Sequence, residues 1–222
     1  VTTPDGKPVA MVHCNNCTSD LNAWVNLFKE YQELLGIPVD MNEVYGKLYN
    51  NALNGDTDCG GLISYNYISG EPLTGLSEGR PLFVRSANDK FNLANFIRTH
   101  LYASVGVLKL GNDILFNDEK VRVDRITGHG GLFKTKGVGQ RILAAAINSP
   151  ISVMETAGEG GPWGMAILAS YMVNKEENET LEDFLNNKVF ADSKGDVMEP
   201  VAEDVAGFEE YMKVYVAALE AE

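Results

Sequence analysis

Apolar positions repeat at intervals of three and four residues through several long stretches of the chain and cluster without that period in short ones, so helices and strands are expected to alternate. Leu21, Trp24, Val25, Leu27, Phe28, Tyr31, Leu34 and Leu35 trace one face of a first helix, which predicts that this face enters the core. Gly36-Ile37-Pro38 ends it. A second helix is predicted over Met41 to Ala52, with Asp40 as N-cap and Glu43 as its reciprocal partner. Leu93, Phe96, Ile97, Leu101, Val105, Leu108 and Leu115 outline a long amphipathic helix, interrupted at Gly106 and Gly111. Further helices are expected over 138–148 and 181–190, and in a last stripe of Phe208, Tyr211, Met212, Tyr215 and Leu219. Strands are expected near 8–14, the arm of a hairpin, and near 62–68, 121–127 and 150–154. The result is an α/β layout, a sheet covered by helices, in one continuous domain without repeats or linkers.

Between the third and fourth of these strands lies a turn with Gly128, Gly130 and Gly131, followed by a helix. Such a turn keeps side chains away from a ligand and aims helix N–H groups at it, but it also serves plain packing. Lys134 either flanks a ligand or is a solvated lysine at a helix start. Asn15, Asn16, Thr18 and Ser19 precede the first helix. Their polar groups can reach a phosphate, although Asp20 beside them has the wrong sign; Thr18 or Ser19 can equally be an ordinary cap. His129 has only Asp124 near it in sequence and reads as a satisfied turn histidine. The second glycine turn, Gly158 to Gly164, carries Pro162 and Trp163, bulk rather than donors, and is expected to pack against the sheet. Glu71, between Gly70 and Pro72, reads as an exposed turn acid. No Gly-x-Ser-x-Gly elbow, phosphate-binding lysine loop or dinucleotide Gly-x-Gly-x-x-Gly occurs.

Composition narrows the partners. With 31 acidic against 18 basic residues the formal charge is -13, which disfavours a broad nucleic-acid or anionic membrane surface and makes any phosphate binding local. No apolar run reaches the roughly 20 residues of a membrane span, and the start, Val1-Thr-Thr-Pro-Asp-Gly, lacks the features of a signal peptide. Three cysteines cannot all pair, so a reducing compartment, the cytoplasm, is expected. Cys14-Asn-Asn-Cys17 has the spacing of half a metal knuckle but no second ligand pair, and is expected to be structural.

The order of strand, Gly-Gly turn, helix with Gln140 and Ala144, Pro150-Ile-Ser-Val strand, glycine turn and Gly164-Met-Ala-Ile-Leu-Ala helix resembles the C-terminal half of the FGGY family of carbohydrate kinases. Tyr67-Ile-Ser-Gly-Glu-Pro is similar to the family's Tyr-Leu-Ser-Gly-Glu-Arg-Thr-Pro segment, and the pentulose kinases, xylulokinase and ribulokinase, look nearest. The resemblance implies a ribonuclease H-like fold shared with actin and hexokinase, a mixed sheet flanked by helices. It implies that residues 1–222 form the C-terminal nucleotide-binding domain of a two-domain kinase, which uses ATP and Mg²⁺ to phosphorylate a sugar such as xylulose. Registered on Gln140, the family's Gly-Gly-Gly-Ala-Lys-Ser run falls on Gly130, Gly131, Leu132, Phe133, Lys134 and Thr135, with leucine in place of the third glycine. The first three would pass under the adenosine and Phe133 or Lys134 would flank it, while Asn16 and Ser19 would face the phosphates. The catalytic aspartate and most of the sugar pocket belong to the N-terminal domain. The resemblance therefore implies that this chain is inactive alone, and that the separated domain associates weakly with itself near residues 1–14. A non-catalytic actin-fold interaction module and a sugar or nucleotide sensor are the alternatives.

Overall fold

A computed structural model describes residues 1–154, 160–191 and 195–221. The chain runs through α1 (Ser19–Leu34), α2 (Met41–Ala52), β1 (Ile63–Tyr65), β2 (Leu82–Val84), α3 (Leu93–Asp113), β3 (Ile126–Gly128), α4 (Val138–Ile147), β4 (Ile151–Val153), α5 (Gly160–Asn174), α6 (Leu181–Phe184), β5 (Asp196–Met198) and α7 (Ala202–Ala217). Among the described residues these strands form two sheets, β1-β2 and β3-β4-β5. In the larger sheet β3 and β4 are parallel, Ile126 facing Ile151, and are joined through α4; β5 returns antiparallel, Met198 facing Ile151. The sheet is mixed, as the resemblance implies.

The core forms around α3. Every residue from Asn95 to Val107 is buried, on all faces of the helix; most of its polar side chains find partners, although His100 Nε2 is buried without one among the described residues. Thr99 Oγ1 donates to the Leu62 carbonyl at 2.9 Å, and Asn95 joins Asp56 and the Lys90 carbonyl. The predicted interruptions of this helix do not occur. Gly106 packs beside Tyr215 and Met212 of α7, which a Cβ would meet at an ordinary 3.6 and 3.7 Å. At Gly111 an added Cβ would lie 2.2 Å from Val12 Cγ1, so the glycine gives the N-terminal segment room to cross α3.

That crossing segment is not the predicted strand. Its flanking pairings are an isolated bridge between Thr2 and Pro8 and a bond from Val9 N–H to the Val1 carbonyl. Pro8 offers no N–H to extend a ladder. All five strands are three residues long; β2 and β5 are the two that lie outside the longer β-prone stretches from which the others are expected. The apolar stripe of α1 is buried only in its first half. Leu21 and Val25 are in the core, but Leu27, Tyr31, Leu34 and Leu35 are exposed. Asp40 caps α2 through Asn42 N–H as predicted, whereas Glu43 pairs with Lys47 at 2.6 Å instead of returning to the cap.

Candidate functional site

The turn after β3 is held from both sides. Gly130 adopts φ +107°, a region open to glycine, and a single 3-10 turn follows over Gly131–Phe133. Phe133 folds back over the end of β3: a Cβ on Gly128 would lie 2.5 Å from its ring. On the other side Gly139 of α4 leaves space for the Leu132 carbonyl, which a Cβ there would meet at 2.5 Å. Gln140, buried in the next position, donates to the Asp196 carbonyl at 2.9 Å and so ties α4 to β5.

Pinned in this way, the turn presents Gly131, Leu132, Lys134 and Thr135 to a cleft of about 410 Å³. Its other walls are Thr18 and Asn22 from the start of α1, and Asn42, Tyr45, Gly46 and Tyr49 from α2. Tyr45 donates its hydroxyl to Asn22 Oδ1 at 2.9 Å and meets Tyr49 edge-on, with ring centroids 5.6 Å apart. Burial pushes both phenols above their usual range, so they are protonated at neutral pH. Among the described residues that line it, none is an acid or a histidine.

Thr18 is the N-cap of α1, but its side chain makes no capping bond. Thr18 itself lines the cleft, so the start of α1 meets it without a side-chain cap on the first-turn N–H groups. Ser19 is exposed but is not among the residues that line the cleft, and Asp20 is buried 3.5 Å from His100 Nδ1. Asn16 is placed differently. Its buried amide accepts from Ile68 N–H at 2.9 Å and Ser69 N–H at 3.1 Å, and donates to the Ser69 carbonyl at 3.0 Å, fixing the loop in front of α1. The carboxylate below it is Glu71, which is fully buried and not the exposed acid that its glycine and proline neighbours suggested. It is drawn inward by the Asn15 and Asn16 N–H groups, at 2.9 and 3.3 Å.

Phe133 packs against the core and is not among the cleft's lining residues. His129 and Asp124 are both exposed. Of the second glycine turn, Gly158 and Glu159 lie outside the described residues, and from Gly160 the chain is already α5. The expected packing is not found there: Cβ atoms on Gly161 and Gly164 would meet nothing within 4 Å, and Trp163 is 42% exposed. Cys14, Cys17 and Cys59 are free thiols, and no group of three or more His, Cys, Asp or Glu among the described residues is arranged to hold a metal. The cleft's α2 wall is the part that sequence reasoning missed. Its one signal was Gly46, a glycine inside an otherwise regular helix.

Residues 1–173 match the description "FGGY family of carbohydrate kinases, C-terminal domain". The chain belongs to the FGGY family. Its solved neighbours include xylulose kinase from Rhodospirillum rubrum, with a TM-score of 0.65 and 16% identity over 94% of this chain and 38% of that one. Gluconate kinase from Lactobacillus acidophilus matches with a TM-score of 0.59 and 19% identity, over 78% of this chain and 34% of that one. Plasmodium falciparum glycerol kinase with ADP matches with a TM-score of 0.59 and 17% identity, over 88% and 37%. At these identities the likeness is one of fold, the actin- and hexokinase-like ATPase fold. The FGGY domain spans little more than a third of the length of these kinases. No curated protein matches the chain. No helix among the described residues is long and apolar enough to cross a membrane.

Proposed function

We propose that residues 1–222 are the nucleotide-binding domain of a cytoplasmic carbohydrate kinase and that the cleft between α2 and the Gly130–Thr135 turn receives ATP. The observation that carries this reading is the shared cleft. Gly131, Leu132 and Lys134, which the family motif aligns with nucleotide contacts, meet the uncapped start of α1 in one 410 Å³ space. That is the size range of small-molecule sites. The adenosine lies along Gly131 and Leu132, and the phosphates point toward Thr18 and Ser19, where backbone N–H groups favour negative charge. An anion site built from backbone also suits a chain whose net charge is -13.

None of the described residues lining the cleft is a carboxylate or imidazole, which suits holding a nucleotide and not supplying a general base. The lining amides and hydroxyls also do not form a Mg²⁺ cage; the ion that accompanies ATP in kinases is held largely by the phosphates and water, and no step here depends on it. The acceptor would be a sugar hydroxyl, of a pentulose such as xylulose, brought by residues outside this domain. Xylulose kinase among the solved neighbours supports that choice, and gluconate and glycerol kinases stand beside it.

Calorimetric titration of ATP tests the reading. The wild-type chain is expected to bind ATP and to show no sugar-dependent turnover. Gly131→Val should fold normally, since a Cβ at this position meets nothing within 4 Å, yet lose about tenfold or more in affinity, roughly 1.4 kcal/mol. Equal affinity in the two proteins, or sugar-dependent turnover by the chain alone, would overturn it.

A further inference from the structure

The apolar stripe of α1 continues past the part that enters the core. Leu27, Tyr31, Leu34 and Leu35 are exposed, and so is Ile37 just beyond the helix. A stripe of this kind normally faces a core, yet none of the described residues buries these side chains. The helix end that carries them is fully formed. Gly36 takes φ +70°, its N–H bonds to the Glu33 carbonyl at 3.0 Å, and Ile37 N–H reaches back to the Gln32 carbonyl at 3.0 Å, the two bonds that close a helix in a left-handed turn. The other end of α1 is fixed by Leu21 and Val25 in the core and by Trp24, whose ring meets Phe96 of α3 edge-on at 5.0 Å. The exposed apolar side chains are thus presented on an element anchored at one end and closed at the other.

Spacing and charge define what this face fits. Trp24, Leu27, Tyr31 and Leu34 follow one another in alternating steps of three and four residues, the seam along which two helices pack. The seam carries no charge. Lys29 and Glu33, two residues either side of Tyr31, fall on the opposite face at 3.6 residues per turn and pair with each other at 3.3 Å; Glu30 and Gln32 border the seam. With a net charge of -13, most of the surface repels another copy of the chain, so two copies approach with least repulsion where charge is lacking. An uncharged strip gives a polyanion or an anionic lipid nothing to hold. A second α1 supplies the matching apolar strip, and a two-fold axis lets each copy give and receive the same contacts.

We propose that the chain forms a homodimer through the second half of α1, with Leu27, Tyr31 and Leu34 of one copy packed against the same strip of the other. The association is weak. From Trp24 to Leu35 the strip is about 18 Å long and one helix wide, well short of the roughly 800 Å² per partner that a stable complex buries. The dimer does not depend on the nucleotide reading, and it moves self-association from residues 1–14, where the resemblance led us to expect it, to α1.

Sedimentation velocity of the 1–222 chain from about 1 µM to about 1 mM, the range of a weak contact, tests the proposal. A monomer–dimer equilibrium is expected, and it should tighten as salt rises, because screening reduces the repulsion between two chains of like charge. Leu34→Glu should raise the dimer Kd about tenfold or more, and Tyr31→Ala, which removes apolar area without adding charge, about threefold or more. Both should keep the wild-type urea midpoint, since the two side chains are exposed. Met11→Glu in the N-terminal segment and Met172→Glu on α5 place the same charge on other exposed residues and should leave Kd within about twofold. A strict monomer throughout, growth beyond the dimer, association that weakens with salt, or a loss in Met11→Glu or Met172→Glu as large as in Leu34→Glu would overturn the proposal.

Discussion

The carboxylate of Glu71 is completely buried, and one of its oxygens accepts from Asn15 N–H, Asn16 N–H and Asn16 Nδ2. The other oxygen is buried without a partner among the described residues, so these three bonds are what offsets the lost water, and they hold the loop that leads into Thr18 and Ser19. The same charge lies near Cys14, whose thiol is pushed up to about 12 by burial first and then by Glu71, so it is protonated and a poor nucleophile at neutral pH. Glu71 thus acts on the cleft from a distance, by positioning the start of α1. Glu71→Ala would strand two backbone N–H groups and should cost about 1–3 kcal/mol in urea unfolding. Glu71→Gln, which keeps an acceptor oxygen, should lose less. An alanine variant as stable as wild type would show that water replaces the carboxylate easily and that the loop does not depend on it.

Among the elements, the strongest polar tie joins α3, α4 and α7. Asp204 of α7 accepts from Arg98 Nη2 of α3 at 2.7 Å and from Arg141 Nε of α4. Arg98 and Asp204 are each 1% exposed. Burial alone would raise the Asp204 carboxyl, but the hydrogen bonds and charges of Arg141 and Arg98 outweigh it and hold the group below the usual carboxylate range. A depressed folded-state pKa contributes stability above the unfolded value, near 3.9, and that stability is lost as pH falls through the folded value. Asp204→Asn should therefore cost about 3–5 kcal/mol at neutral pH, because it leaves a guanidinium buried without its counter-charge. It should also flatten the loss of stability below about pH 4; chemical unfolding at pH 7 and pH 3 measures both. This tie was invisible in the sequence, since Arg98 and Asp204 are far apart along the chain and nothing local pairs them. The helices themselves were legible, because α1, α2, α3, α4 and α7 each carry enough turns for the apolar period to register. The depth of burial was not. Leu34 continues the stripe of Leu21 and Val25, yet it is 83% exposed, because periodicity gives the direction of a face and not how far its neighbour extends. The same limit applies to the cleft: the glycine turn was readable as a local motif, whereas its apposition to α2 is a tertiary fact.

Over the whole molecule, the family match and the folded unit have different ends. The match stops at residue 173, but the core continues into α7, whose Phe208, Tyr211, Met212 and Tyr215 are buried against α3 and β1. Tyr65 donates to the Tyr215 carbonyl at 2.6 Å, Tyr67 and Tyr215 share a hydroxyl bond of 2.7 Å, and the Tyr102 and Phe208 rings lie 4.6 Å apart. Gly207 fits closely enough that a Cβ would lie 2.3 Å from Thr57. β5 also completes the sheet beside β4. Removing one large buried side chain costs about 3–5 kcal/mol, so removing α7 withdraws more than the roughly 5–15 kcal/mol that holds a whole domain folded. It would also uncover Arg98 without Asp204. A chain ending at residue 173 should therefore lose its near-ultraviolet circular dichroism and its cooperative urea transition, while residues 1–222 retain both. The cleft residues are all present in the shorter chain, so its ATP binding should disappear with the fold and not through loss of any contact. A cooperative transition in the 1–173 chain would show instead that α3 and the sheets close a core without α7, and that the aromatic cluster around Tyr215 is an addition to a fold already complete.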